Sequence, residues 1–249
     1  MNTLILTAGY AIRLYPLTKD MPKPLLPVRG KPIMEYIVEK IEKLDSVDEV
    51  FVVTNHKFVD RFFDWKKQLK LKKRIKIIDD GTTSNEDKLG AIGDIDFSVK
   101  AENLEEDLLI IAGDNLFSFE LGSFLDFARS VKPSASLGIY DVGDTEAVKK
   151  YGILELDEAK RIISFEEKPQ SPATTLISIC LYYFPKETLG LISEYLEAGN
   201  NPDAPGYYIG WLYKREPTYG FVFEGSWYDI GDIASYHQAS KEYEKGGGI

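Results

Sequence analysis

The sequence contains very few of the residues that build disulfide frameworks and zinc sites. Its 249 residues include one cysteine, Cys180, and two histidines, His56 and His237. A single cysteine excludes an internal disulfide, and a zinc site needs several cysteine or histidine ligands. We therefore expect neither of these sites, and no catalytic histidine.

The sequence also lacks a long apolar segment. The opening MNTLILTAGY has no basic region and is too short for a signal peptide, and no later segment approaches the length that crosses a bilayer. A hydrophobic fraction of 44% and a charged fraction of 28% are those of an ordinary globular protein. These features predict a cytoplasmic protein with no membrane partner.

Acidic residues outnumber basic residues overall, by 40 to 30, but basic residues are concentrated in one place. The formal net charge is −10, whereas binding of nucleic acid without sequence preference needs a basic face, so nucleic acid is not an expected partner. Between Ala11 and Lys31, however, five basic residues occur with one acidic residue, Asp20. Such a patch attracts a small polyanion, although Lys19, Arg29 and Lys31 are equally typical of a solvated surface.

Short apolar runs alternate with segments of helical period in the first part of the chain. The strand candidates are TLILT, EVFVVT, RIKII, DLLIIAG and ASLGIYDV, and the helix candidates are IMEYIVEKIEKL and FVDRFFDWKKQL. This alternation predicts an α/β fold, with a mainly parallel sheet covered by helices.

After about Lys150 the pattern changes to closely spaced strands. YGILEL, IISFEEKP and TLISICLYYF predict strands that extend the sheet, before a helix from Glu187 to Leu196. No segment rich in proline, glycine or serine separates the two parts. We therefore predict one domain over residues 1–245 with a smaller second lobe, and a frayed tail, KGGGI.

The first strand candidate ends in a turn of small residues, from Ala8 to Ala11. Backbone amides in such a loop can approach a phosphate closely. The prolines at 16, 22, 24 and 27 disfavour a following helix, so Arg13 and Lys23 are predicted to project from a stiff, extended loop. We interpret the loop as a phosphate site, and the alternative is a turn that only packs.

Two aspartates follow strand candidates in distant segments. Asp114 comes after the apolar LLIIAG, where it is either a metal ligand or a cap, and Asp229 lies in GSWYDIGD, where Asp232 is placed to cap the next helix. Two such carboxylates near phosphate-binding cations suit Mg²⁺. Glu167 and Lys168 end a third strand, and the alternative for them is a solvated pair.

Six motifs occur in order across nearly the whole chain: LxxAGxxxRLxPLTxxxPKPLLPV, GKPIxEY, AGDN, YGIxEL, FEEKP and WYDIGD. Together they resemble the motifs of the sugar-1-phosphate nucleotidylyltransferases, especially those that make dTDP-glucose or UDP-glucose. The resemblance implies a Rossmann-like nucleotidyltransferase fold, with a nucleotide-binding half over about 1–140 and a sugar-binding half over about 141–245. It also implies that a sugar 1-phosphate attacks the α-phosphorus of a nucleoside triphosphate and expels pyrophosphate, with Mg²⁺ as cofactor.

The resemblance gives catalytic roles to the charged residues. Arg13 and Lys23 would hold the triphosphate and neutralise its charge. Asp114 and Asp229 would bind Mg²⁺, and Lys168 would clamp the phosphate of the sugar. These roles fit phosphoryl transfer, in which positioning and electrostatics carry most of the catalysis.

The resemblance also implies binding positions for the base and the sugar. The nucleotide-binding positions would be Ala8, Gly9, Asn85 and Gly90. The sugar-binding positions would be Tyr151, Gly152 and Glu167 beside Lys168, with Glu167 accepting hydrogen bonds from sugar hydroxyls.

Four positions depart from the usual pattern of these enzymes. Ile12 and Ile230 stand where a threonine is usual, Cys180 where close relatives have glycine against the sugar, and Asn85 where thymidylyltransferases often have glutamine. The departures leave base and sugar open, with dTTP or UTP and glucose 1-phosphate favoured. The sequence shows no hexapeptide-repeat domain after WYDIGD, so we expect no acyltransferase activity.

Two other readings stay open. One is a catalytically silent regulatory protein that binds sugar nucleotides, and the other is a cytidylyltransferase acting on a non-sugar phosphate such as phosphocholine. The intact charged set favours an active enzyme, and Glu167 beside Lys168 favours a polyhydroxyl acceptor. A homo-oligomer is compatible with the sequence.

Overall fold

The computed structural model of the protein describes residues 1–243, so the predicted frayed tail KGGGI lies outside the described residues. The strands within this range are β1 (Asn2–Leu6), β2 (Pro27–Val28), β3 (Lys31–Pro32), β4 (Glu49–Thr54), β5 (Arg74–Asp79), β6 (Leu108–Ala112), β7 (Asn115–Phe117), β8 (Ala135–Asp141), β9 (Gly152–Leu156), β10 (Ile162–Glu167), β11 (Leu176–Phe184), β12 (Thr218–Val222) and β13 (Trp227–Asp229). The α-helices are α1 (Ile33–Glu42), α2 (Val59–Gln68), α3 (Ala91–Glu102), α4 (Gly122–Ser130), α5 (Gly190–Glu197), α6 (Pro205–Leu212) and α7 (Ile233–Glu242). Short 3₁₀ turns occupy Ile12–Leu14, Lys23–Leu25, Ala147–Lys150 and Lys186–Thr188.

The chain folds into two compact units that are discontinuous in sequence. The first consists of Met1–Leu89, Ile111–Leu121 and the segment from Gly225, and the second of Gly90–Ile110 and Gly122–Glu224. Strand β6 begins in the second unit and ends in the first. The predicted halves, about 1–140 and about 141–245, are defined by binding of nucleotide and of sugar. That functional division stays a prediction.

The first unit contains a parallel sheet covered by helices. β1 pairs in parallel with β4, and β4 with β5. Leu4 and Ile5 of β1 are fully buried, as expected for a strand that is covered on both faces. The predicted apolar faces of α1 and α2 are also buried, so these two crossover helices are confirmed.

The second unit contains a mixed sheet. β9 pairs antiparallel with β10 and β11, β11 pairs antiparallel with β8, and β8 pairs in parallel with β12. The predicted α/β class is confirmed, and the antiparallel pairs of this unit are an addition to the predicted parallel strands.

One helix prediction needs correction, and three helices were not predicted. The helix expected from Glu187 to Leu196 is a 3₁₀ turn at Lys186–Thr188 followed by α5, because Gly190, a poor helix former, lies where the two meet. Helices α3, α4 and α6 are not among the predicted helices, and the α6 sequence PGYYIGWL combines proline, two glycines and aromatic residues, which are poor helix formers. Within residues 1–243, no helix is both long enough and apolar enough to span a bilayer.

Candidate active site

Buried hydrogen bonds hold the opening loop of the first unit in place. The Thr7 hydroxyl donates to the Val53 carbonyl at 2.6 Å, and the Asn55 amide donates to the Ala8 carbonyl at 2.7 Å. The Tyr10 hydroxyl is bonded to the Thr82 hydroxyl at 3.1 Å. Sequence reasoning missed these anchors, although Asn55, a polar residue directly after the apolar strand EVFVVT, was a usable signal.

Beyond Tyr10, the loop is more tightly wound than predicted. Ala11 has a left-handed backbone, and its carbonyl accepts from the Thr18 hydroxyl at 2.8 Å. Instead of a purely extended loop, 3₁₀ turns occur at Ile12–Leu14 and Lys23–Leu25. The prolines exclude an α-helix but permit single turns, because Pro24 lies in a first turn, where its missing N–H is not needed.

These turns and the end of β6 surround a pocket of about 180 Å³ in the first unit. The pocket lining includes Gly9, Arg13, Lys23, Asp114 and Gly231. Gly9 is exposed, and a side chain there would meet no atom within 4 Å, so a ligand can approach its backbone. Four of the predicted site residues therefore share one pocket.

The two predicted phosphate-binding cations differ in environment. The Arg13 side chain is exposed and, within residues 1–243, forms no ion pair or hydrogen bond. Lys23 is buried, and its Nζ lies 2.7 Å from Asp114 Oδ2. The pocket thus has one unpaired cation and one cation that is already paired.

Asp114 is placed in the pocket by the glycine that precedes it. A Cβ on Gly113 would lie 2.5 Å from Thr7 Cγ2, so only glycine lets the end of β6 pack this closely against the end of β1. Strand β7, rather than a helical turn, follows Asp114, and the carboxylate accepts from Lys23. The alternative that Asp114 caps a following turn is therefore wrong.

Asp229 lies at the same end of the β7–β13 pair as Asp114. The antiparallel register places Asp229 opposite Asn115, the neighbour of Asp114. A Cβ on Gly231 would lie 3.2 Å from Asp229 Oδ2, so glycine leaves space beside this carboxylate at the edge of the pocket. Asp232 caps α7 by accepting from the Ser235 N–H, which confirms the predicted cap.

The two predicted metal ligands are carboxylates that fit Mg²⁺, although only Asp114 lines the pocket and Asp229 is not among its lining residues. Asp114 and Asp229 supply carboxylate oxygens, which are hard ligands, and Mg²⁺ usually takes one or two protein carboxylates together with water and phosphate oxygens. Within residues 1–243, no group of three or more histidine, cysteine or acidic side chains could hold a metal alone. A two-carboxylate site of this kind would rely on a phosphate ligand to complete the coordination.

The residues predicted to meet the base fall in different units. Asn85 lies in the first unit, on a turn where Asp87 accepts from the N–H groups of Thr83 and Ser84. Gly90 begins α3 in the second unit, with φ of 80°. A Cβ on Gly90 would lie 2.6 Å from the Pro202 carbonyl oxygen, so this position requires glycine for both backbone angle and space.

The segment from Pro202 to Gly206 passes the start of α3 and accepts hydrogen bonds from its first N–H groups. The N–H of Ile92 donates to the Pro202 carbonyl at 2.9 Å, and the N–H of Ala91 to the Asp203 carbonyl at 3.3 Å. These carbonyls satisfy amides that a helix start leaves unpaired.

The predicted sugar-binding residues come together in the second unit. Glu167 ends β10, and the Lys168 N–H donates to the Tyr151 carbonyl at 2.9 Å, which holds the Glu167–Lys168 corner against Tyr151 and Gly152. The Glu167 side chain is only 10% exposed, whereas that of Lys168 is 56% exposed, and Lys168 Nζ lies 3.6 Å from Glu167 Oε1. The alternative of a fully solvated pair is therefore wrong for Glu167.

Burial raises the pKa of Glu167 above its usual value, and the nearby Lys168 ammonium acts in the opposite direction. Removing a carboxylate from water disfavours its charged form. Of these two opposing effects on the pKa of Glu167, burial is the larger.

The departures from the usual motif occupy very different environments. Ile12 is 52% exposed, whereas Ile230 is fully buried in a cluster with Leu14, Leu116 and Ala239. Cys180 is partly buried in β11, at a bulge where its φ is 51°, an angle that favours glycine. At position 230, an apolar side chain packs in the core where the usual motif has a threonine hydroxyl. At position 180, a cysteine adopts a backbone angle that favours glycine.

Comparison with known proteins identifies relatives over most of the chain. The chain is 29% identical to the bifunctional protein GlmU of Methanocaldococcus jannaschii, covering 97% of this chain and 54% of the relative. It is 32% identical to a protein of Sulfolobus acidocaldarius described as a mannose-1-phosphate guanyltransferase, covering 97% of this chain and 63% of the relative. The chain therefore spans about half to under two thirds of the length of these relatives.

Solved structures share the fold. A UDP-glucose pyrophosphorylase complexed with UDP-glucose superposes with a TM-score of 0.81 at 22% identity, covering 98% of both chains. A glucose-1-phosphate thymidylyltransferase of Bacillus anthracis superposes with a TM-score of 0.80 at 21% identity, covering 97% of this chain and 94% of the other. These likenesses confirm the nucleotidyltransferase fold that the motifs implied.

The family model for nucleotidyl transferases matches residues 2–246, nearly the whole chain. Together with the named relatives, this match confirms the resemblance to sugar-1-phosphate nucleotidylyltransferases that the six motifs indicated. The chain belongs to the nucleotidyl transferase family.

Proposed function

We propose that the protein transfers a nucleotidyl group from a nucleoside triphosphate to a sugar 1-phosphate, releasing pyrophosphate. The observation that carries this proposal is the pocket of the first unit, which combines the unpaired Arg13 guanidinium with the Lys23–Asp114 ion pair. An unpaired arginine at a pocket lined by an exposed glycine backbone suits a phosphate chain.

In this proposal, Arg13 and Lys23 neutralise the negative charge of the triphosphate. Arg13 lines the pocket and forms no ion pair among the described residues, so its guanidinium can pair with the ligand. Lys23 and Asp114 already face each other, so a bound phosphate would accept from an ammonium whose position is fixed. Positioned charges of this kind stabilise charge that develops in the transition state.

Asp114, which lines the pocket, and Asp229, which lies beside the lining residue Gly231, would together hold Mg²⁺. Mg²⁺ would withdraw charge from the phosphate oxygens and so favour departure of pyrophosphate. The pairing of Asp229 with Asn115 and the packing of Gly113 on Thr7 support this assignment, because they fix the backbone beside both carboxylates.

On the sugar side, Lys168 would bind the phosphate and Glu167 would accept hydrogen bonds from the ring hydroxyls. The difference in exposure supports this division, since the ammonium reaches solvent and the carboxylate is shielded. A shielded carboxylate with few protein partners gains from binding hydroxyl donors, which a polyhydroxyl substrate supplies.

Among nucleotides and sugars, we propose dTTP or UTP and glucose 1-phosphate. A relative from Synechocystis named UTP–glucose-1-phosphate uridylyltransferase, 26% identical over 96% of this chain, supports this choice, whereas the relative named as a mannose-1-phosphate guanyltransferase supports another pair.

The test is a matrix of nucleoside triphosphates against sugar 1-phosphates, with Mg²⁺, read by pyrophosphate release. We expect release only when both substrates and Mg²⁺ are present. Release with CTP and phosphocholine, but with no sugar 1-phosphate, would identify the cytidylyltransferase alternative. Tight binding of an NDP-sugar without release in any combination would identify a silent regulatory protein.

A further inference from the structure

The Glu167 carboxylate lies in a narrow slot of the second unit. Oε1 is 3.6 Å from Lys168 Nζ, which is too long for a hydrogen bond, and within residues 1–243 no hydrogen bond to Oε2 is formed. The side chain is 10% exposed, so only a small part of it reaches solvent. A buried carboxylate with so few partners needs its direction fixed by packing.

Two glycines form the walls of this slot. A Cβ on Gly206 would lie 1.7 Å from Glu167 Oε2 and 2.6 Å from its Cδ, and a Cβ on Gly152 would lie 2.8 Å from Oε2. Both glycines and the carboxylate belong to the second unit. Any side chain at Gly206 would therefore occupy the place of the carboxylate.

The backbone of Gly206 gives no other reason for glycine. Gly206 is the second residue of α6, and its φ is not in the left-handed region. Alanine forms helices better than glycine does. The requirement for glycine at this position comes from the Glu167 carboxylate.

We propose that Gly206 is a positioning residue, which directs the Glu167 carboxylate toward the hydroxyl groups of the sugar 1-phosphate. The first turn of α6 thereby becomes part of the sugar-binding site, although its own side chains are not required to touch the sugar. This inference rests on the proposed function, because it assigns the carboxylate to a hydroxyl-bearing substrate.

The first test compares Gly206→Ala with Gly210→Ala, a matched control one turn further along α6. A Cβ on Gly210 would lie 3.6 Å from Phe165 Cδ1, an ordinary contact. Gly206→Ala is expected to raise KM for the sugar 1-phosphate about tenfold to a hundredfold, the loss typical of a charged hydrogen bond, with KM for the triphosphate changed by less than about twofold. Gly210→Ala is expected to leave both values unchanged, and equal effects of the two variants would overturn the proposal.

The second test repeats Gly206→Ala in a Glu167→Ala background. If Gly206 acts through the carboxylate, the second substitution adds no further loss in sugar use once the carboxylate is gone. The same fold loss in both backgrounds would show that Gly206 only supports α6, and the proposal would be wrong.

A stability measurement separates this inference from the proposed function. We expect Gly206→Ala to lower the urea midpoint of unfolding more than Gly210→Ala does, and this extra loss should vanish in the Glu167→Ala background. If Gly206→Ala alone fails to fold, the double variant should fold, and failure of both would overturn the proposal. If the native protein releases no pyrophosphate with any sugar 1-phosphate, the proposed function fails, whereas the stability comparison still decides whether Gly206 positions Glu167.

Discussion

Lys23 and Asp114 form an ion pair of 2.7 Å, although 91 positions separate them in the sequence. The Lys23 side chain is 10% exposed and that of Asp114 is 38% exposed. The pair joins the opening loop, which carries Lys23, to Asp114 just after β6.

Replacing either proposed magnesium ligand should remove most of the activity and leave the fold intact. Asp114→Asn and Asp229→Asn are each expected to lower kcat by at least about a hundredfold, because each removes a charge that a Mg²⁺–triphosphate complex needs. Asp126→Asn is the matched control, since Asp126 is 82% exposed and lies on α4. Pyrophosphate release in saturating Mg²⁺ measures turnover, and far-UV circular dichroism checks that the variants are folded. Near-normal turnover of either variant would show that its aspartate is not a magnesium ligand.

Lys23 and Lys168 should affect different substrates. Lys23→Ala is expected to weaken mainly the use of the triphosphate, and Lys168→Ala mainly the use of the sugar 1-phosphate, because the two cations lie in different units. Steady-state kinetics with each substrate varied in turn will measure this. Equal effects on both substrates would mean that at least one lysine has been assigned to the wrong phosphate.

The cation of the opening loop should matter far more than the residue before it. Ile12→Thr adds at most one neutral hydrogen bond and is expected to change kcat/KM by no more than about tenfold. Arg13→Ala removes an unpaired guanidinium from the pocket and is expected to lower kcat/KM by at least about a hundredfold. The reverse ordering, measured on purified variants in saturating Mg²⁺, would favour the regulatory reading.

The same substitution, isoleucine to threonine, should lower stability far more at position 230 than at position 12. Ile230→Thr places a hydroxyl in a fully buried cluster and removes apolar volume, so it is expected to lower the free energy of unfolding by about 2 kcal/mol or more. The Ile12 side chain is 52% exposed, so Ile12→Thr should change the free energy of unfolding by less than about 0.5 kcal/mol. Urea unfolding of both variants tests this, and a neutral Ile230→Thr would mean that the core accepts the hydroxyl.

Sugar binding should depend on the ionisation of Glu167. Burial raises its pKa above the usual 4.5, so the carboxylate becomes protonated at a higher pH than an ordinary glutamate. KM for the sugar 1-phosphate is expected to rise as the pH falls through this raised value. Glu167→Gln should lose this dependence and keep only that of the substrate phosphate, whose second pKa is about 6. Identical pH profiles of the two proteins would exclude the role of the carboxylate.

The same shift determines how stability varies with pH. Because the folded protein binds this proton more tightly than the unfolded chain does, the Glu167 carboxyl stabilises the fold when protonated. Its contribution is therefore lost as the pH rises from 4.5 through the raised pKa. As the pH rises over that interval, the free energy of unfolding of the native protein should fall relative to that of Glu167→Gln, which cannot titrate at this position.

Features that depend on local sequence could be predicted. The buried strand before Ala8, the cap at Asp232 and the strand end at Glu167 follow from apolar runs and from residues whose side chains favour helix starts. Prediction failed where distant segments decide the structure. The bond between Tyr10 and Thr82 joins positions 72 apart, and nothing local to PGYYIGWL relates its first glycine to Glu167.

The segment from Pro202 to Gly206 is fixed at both of its ends. Its first carbonyls hold the start of α3 beside Gly90, and its last residue borders the carboxylate of Glu167. The resemblance implies that Gly90 meets the base and that Glu167 meets the sugar. If binding of either substrate moves the segment from Pro202 to Gly206, the binding residue at the other end of the segment is affected as well. Thermodynamic linkage then requires reciprocity: the factor by which the nucleotide changes the affinity for the sugar equals the factor by which the sugar changes the affinity for the nucleotide.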